Sequence, residues 1–167
     1  MASTDIDTTE VDKIMDDLKK ALDTTYTGAK AGYFANDKGE KPYEADEDGK
    51  KTPPTVAEVA LWNEFGTERI PARPFLRNAQ NRANVRGEKI VQVRMEENAD
   101  VEQICKDLGL MLQDEIKNQI THGTFVPNAP STIAHKHGST RPLIDTGNLR
   151  QSTHWGVTTT HGDKVME

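Results

Sequence analysis

The sequence predicts an α+β domain: a small antiparallel sheet packed against two or more long helices, with a long charged loop or hairpin arm inserted. Three observations lead there. Apolar residues recur every three to four positions in several long segments, which is the helical period. Two short segments, one near each end, alternate or carry aromatic ends as strands do. Between them lies a run of charge, glycine and proline too polar to enter a core. With 167 residues, the chain fits a single domain covering 1–167, with a charged insert at 35–54 and an irregular loop at 122–147.

The elements follow in order. Residues 4–23 carry Ile6, Val11, Ile14, Met15, Leu18 and Leu22 on one stripe, and Thr4 or Asp5 is placed to cap the helix they predict. Tyr26 to Phe34 reads as a strand with aromatic ends, weakened by Gly28 and Gly32. Pro53-Pro54-Thr55 opens a helix with Val56, Val59, Ala60, Trp62 and Phe65 on its stripe, and Gly66 ends it. Ile70-Pro71 and Arg73-Pro74 are extended, because a residue before proline is pushed out of the helical region. Pro74 suits the first position of the next helix, which runs from Phe75 to about Glu97. From about Asp100 to Thr121, Val101, Ile104, Cys105, Leu108, Met111, Leu112, Ile116 and Ile120 form a continuous apolar face, and Gly123 ends the helix. The segment Gln151–Thr159 alternates like a strand, able to pair with the first and close the sheet.

Composition narrows the function classes. Hydrophobic residues are 34% of the chain and charged ones 29%, so much of the surface must be solvated or held in interfaces. No run nears the roughly 18 apolar residues of a membrane span, and the first residues lack a signal-peptide pattern. No membrane association is expected. The single Cys105 excludes an intrachain disulfide and reads as a buried, inert thiol in a reducing compartment. The net charge of -6 is uneven. Residues 1–50 hold 13 acidic and 7 basic side chains. Between 69 and 94, by contrast, Arg69, Arg73, Arg77, Arg82, Arg86, Lys89 and Arg94 face only Glu88. Such segregation suits self-assembly, one copy's negative surface meeting another's positive one.

Catalytic constellations are weak. The five histidines lack ligand spacing for zinc. A triad drawn from Ser131 or Ser139 with His135 and Asp145 has no strand–turn–helix setting for its nucleophile, and no phosphate-cradling glycine loop is present. Catalytic, cofactor and metal residues are therefore predicted to be none. The basic stretch supports sequence-independent contact with DNA phosphates, although stacking aromatics are missing.

Two motifs stand out as rigid corners. One is Val56–Thr67 with Ile70–Arg77; the other is Pro127–Lys136 with Arg141–Arg150, where Ser131 is placed to cap a short helix and Asp145-Thr146-Gly147 turns Leu149 into the core. In order, Asn63-Glu64-Phe65-Gly66-Thr67, Ile70-Pro71-Ala72-Arg73-Pro74-Phe75-Leu76 and Leu143-Ile144-Asp145-Thr146-Gly147-Asn148-Leu149 resemble the signature segments of tailed-bacteriophage head–tail joining, or tail-completion (neck), proteins, related to the virion-morphogenesis family of Mu-like phages. The resemblance runs over roughly 4–160. It implies an α+β fold without enzymatic activity and a homo-oligomeric ring, commonly a hexamer, in the virion neck. That ring would join a head-side connector or stopper protein to a tail terminator or tail tube protein, after assembly in the host cytoplasm. A tail-terminator ring, a DNA-binding accessory protein using 69–94, and a small hydrolase on the His135 loop are the other readings. Trp62, Phe65, Phe75, Leu76 and Leu149 are expected as packing anchors. Arg69, Arg73, Arg77, Arg82 and Arg86 are expected at contacts with other subunits or DNA. The 35–54 insert, long for the family core, is expected to act as an arm toward a neighbouring subunit.

Overall fold

A computed structural model of the chain describes residues 26–34, 54–136 and 139–166. The helix expected over 4–23 and most of the 35–54 insert lie outside the described residues. In chain order the elements are β1 (Tyr26–Gly32), α1 (Val56–Phe65), α2 (Phe75–Glu96), α3 (Val101–His122), α4 (Pro130–His135), α5 (Asn148–Gln151), β2 (His154–Thr159) and β3 (Gly162–Met166). The architecture is α+β, as expected: a three-stranded antiparallel sheet in the order β1-β2-β3 lies on α3, and α3 packs along α2.

The helices start where local chemistry satisfies their first N–H groups. Thr55 and Glu58 form a reciprocal capping box at α1, and the Asp100 carboxylate accepts from Gln103 N at 2.6 Å to cap α3. Helix α4 begins after Ala129 with Pro130 in its first turn. Ser131 is therefore inside the helix and not its cap, a correction to the expectation. Pro74 likewise sits at the cap position of α2, one residue before the helix.

Strand β2 pairs with β1 as expected, Ala29 opposite Val157 and Ala31 opposite Trp155. Strand β3 was not anticipated. It folds back on β2 with Trp155 opposite Met166, and its residues are mostly exposed. Glycine lets the sheet settle on α3: a Cβ at Gly109 would lie 2.4 Å from Trp155 Cε3, so the indole rests directly on the helix backbone.

Two apolar clusters result. The sheet end gathers Cys105, Trp155 and Val157 with Tyr26, Ala31 and Met166 around them. Burial raises the Cys105 thiol above its ordinary pKa, in keeping with an inert core thiol. The larger cluster joins Val56 and Ala60 of α1, Phe75 and Ala79 of α2, Ile116 and Ile120 of α3, and Leu149 of α5. Phe75 is fully enclosed, its ring edge-on to Tyr33 at 6.4 Å. Tyr33 Oη donates to Leu149 O at 2.9 Å, tying β1's end to the second motif. On α3, Val101 lies exposed, whereas Glu115 and Gln119 are buried, so the apolar face is narrower than its periodicity suggested.

Candidate functional site

The first motif builds a corner between α1 and α2. Gly66 takes φ 77°, a left-handed conformation closed to most side chains, and a Cβ there would sit 2.9 Å from both Ala72 N and Ile70 O. The chain thus doubles back tightly. Thr67 N donates to Ile70 O at 2.8 Å, and Thr67 Oγ1 accepts from the N–H groups of Arg69 and Ile70. Glu64, only 5% exposed, then points across the corner. Its two carboxylate oxygens accept from Leu76 N at 2.8 Å and Arg77 N at 3.1 Å. A carboxylate from one helix therefore caps the next, opposite the positive end of its dipole.

The second motif is fastened to this corner through Arg73. Its backbone N–H donates to Asn63 O at 2.6 Å. Its guanidinium donates from Nη1 to Asn63 Oδ1 at 3.2 Å, from Nε to Val126 O at 3.1 Å, and from Nη2 to Asn128 Oδ1 at 3.1 Å. Asn128 in turn donates to Thr140 O and Arg141 O, and Arg141 reaches back to Thr121 O at the end of α3. One planar fork thus joins positions 63, 126 and 128. Arg73 is 6% exposed, and all its acceptors are neutral, so burial alone lowers its pKa.

Where the two motifs meet, they line a recess of about 560 Å³ that includes Arg69, Arg73, Asn128, Lys136, Asp145 and Asn148. Lys136 Nζ donates to Arg141 O and Ile144 O. Burial lowers the Lys136 ammonium below its ordinary pKa; Asp145 partly opposes this and the Arg73 charge reinforces it.

The expected contact residues divide. Arg69, Arg77 and Arg82 are exposed. Arg86 is exposed too, but pairs with the buried carboxylate of Glu115. Arg73 is corrected from a surface contact to an internal fastener. Among the anchors, Phe75 and Leu149 are buried, and Leu76 packs partly buried against their cluster. Trp62 and Phe65 are corrected: together with Leu61 they are 38%, 63% and 55% exposed, respectively. Helix α1 buries the smaller Val56 and Ala60 inward and turns its largest apolar side chains out. Glu64, Asn63, Asn128 and Lys136 lie within the two motifs, but the sequence assigns none of them a role of its own. For Glu64 and Arg73 the local signal is absent, since their partners lie ten or more residues away and are supplied by the fold.

His135 Nδ1 meets the Ser131 carbonyl at 2.7 Å, not the hydroxyl, which does not assemble the triad drawn from the sequence. Among the described residues no group of three His, Cys, Asp or Glu side chains is placed to hold a metal ion, and no helix is long and apolar enough to cross a membrane. No family model, curated protein or solved structure matches the chain.

Proposed function

We propose that this chain is a structural joining subunit of the tailed-phage neck, a tail-completion ring protein that links a head-side connector to the tail. The observation that carries this reading is the outer face of α1. Leu61, Trp62 and Phe65 fall within about 100° of arc at the helical advance per residue, and all three are exposed on a helix whose other side is already buried. A helix apolar on both sides belongs between two bodies, and among the described residues only one body packs against it.

The joint behind that face supports the same reading. Glu64 and Arg73 lock α1, α2 and the 126–149 segment into one block, so a load applied at α1 passes into the core and not into a hinge. The segments fastened in this way are those that resemble the neck proteins. The exposed Arg82 and Lys89 of α2, close together in arc at the helical advance per residue, offer a positive surface to an acidic neighbour, or to DNA in a channel. That basic face also favours a second reading, a DNA-binding accessory protein, whose affinity would fall steeply with salt.

Static light scattering of the full chain over a range of concentrations, alone and with tail tube protein, separates these readings. The joining role predicts mass growth with concentration or on mixing, lost in a Trp62→Ser/Phe65→Ser variant that keeps its circular dichroism. A persistent monomer indifferent to tail components, yet bound to duplex DNA in a salt-dependent way, would replace it with the second reading.

A further inference from the structure

We infer that the recess between the two motifs is a socket for a carboxylate, filled by an acidic side chain that a neighbouring copy presents. Only the identity of the donor rests on the joining role; the socket itself rests on the residues that line it.

The charge inventory is lopsided. Arg69, Arg73 and Lys136 line the recess against the single carboxylate of Asp145, a net formal charge of +2. Arg73 is withdrawn from water and Lys136 is half-buried, and the Arg73 guanidinium donates to no carboxylate among the described residues. Arg73 is nine-tenths buried on three neutral oxygens, and Lys136 rests on two carbonyls. A buried cation without a paired anion is costly, and an added carboxylate relieves that cost.

Donor capacity points the same way. A guanidinium has five N–H groups and an ammonium three. Three are used on Arg73 and two on Lys136, which leaves three N–H groups without a partner among the described residues. A carboxylate, with two oxygens and about four lone-pair sites, is a match for that number. Shape selects the carrier: a recess of about 560 Å³ admits a side chain and excludes a duplex, whose phosphates lie on a convex surface. The chain itself supplies the donor type, since its first fifty residues hold 13 acidic against 7 basic side chains.

The test uses the full chain, isotope-labelled, with a blocked tetraglutamate peptide as probe and amide shifts as readout. Saturable shifts confined to 126–149 and 69–73 are expected. Lys136→Gln should weaken binding at least about fivefold, the loss of one charge-assisted hydrogen bond. Asp145→Asn should strengthen it by removing the one carboxylate of the lining, and it keeps the test open if Lys136→Gln fails to fold. Absent shifts in the recess, binding unchanged by both substitutions, or inorganic phosphate displacing the peptide at lower concentration would each overturn the socket. A ring that assembles while its recess ignores the peptide refutes the socket alone; a monomer that binds the peptide there refutes only the ring.

Discussion

Replacing Arg73 by lysine keeps the positive charge and nearly the volume, so it isolates the fork. The guanidinium satisfies Asn63 Oδ1, Val126 O and Asn128 Oδ1 at once. A lysine ammonium is a point donor on a shorter head and reaches one of them from the same stem. Two acceptors then lose their partner. Each such loss at a part-buried acceptor costs up to about 1–3 kcal/mol, and rotation of the two asparagine amides recovers part of it, so about 2–4 kcal/mol is expected in total. For a chain of this length that corresponds to a fall in Tm of roughly 5–15 °C. Differential scanning calorimetry of Arg73→Lys beside Arg77→Lys, an exposed control expected within about 0.5 kcal/mol of the parent, gives the comparison. Hydrogen exchange should rise selectively over 126–128 and 139–149, where the fastening is lost. A double-mutant cycle with Asn128→Ala should show coupling above about 0.5 kcal/mol, because the two residues share one bond. If Arg73→Lys behaves like Arg77→Lys, the fork does not fasten the motifs and the reasoning fails.

Other substitutions probe the remaining joints. Glu64→Ala removes the shared cap from Leu76 N and Arg77 N and should cost about 2–3 kcal/mol in urea unfolding, with Glu64→Gln recovering part of it. Gly109→Ala drives a methyl against Trp155 and should destabilise by about 1–3 kcal/mol, with a shift in tryptophan emission. Asp163 is held below its ordinary carboxyl pKa by hydrogen bonds from Lys30 and Thr158. Its folded value is depressed, so its stabilising effect is present above the ordinary carboxylate range and fades as pH falls through the lowered value. Amide protection along β3 should therefore decline in acid, and Asp163→Asn should remove that dependence.

Much of the fold is legible in the sequence because its punctuation is local. Thr55 with Glu58, Asp100, Gly66 and Gly123 mark helix ends within a few residues of the turns they close, and the apolar period of α3 carries its packing face. Strand β3 is not legible: Gly162-Asp163-Lys164-Val165-Met166 has too little apolar alternation, and its place depends on β2 offering an edge. Side-chain size misleads at α1, where Trp62 and Phe65 look like anchors although Val56 and Ala60 occupy the core. Arg73 hides in a basic run that reads as surface. Its burial follows from Asn63 and Asn128, ten and fifty-five positions away, brought together only by the tertiary fold. The corner itself, with its glycine and prolines, was visible; the carboxylate and guanidinium that hold it were not.

The claim that this chain joins to copies of itself through the outer face of α1 is tested most directly by sedimentation equilibrium of the full-length protein across a wide concentration range. The account predicts a closed species of several 18.6 kDa subunits, six if the resemblance to neck proteins carries over, that dissociates when Leu61, Trp62 and Phe65 are replaced by serine. A single subunit mass at every concentration, with and without tail components, would contradict it.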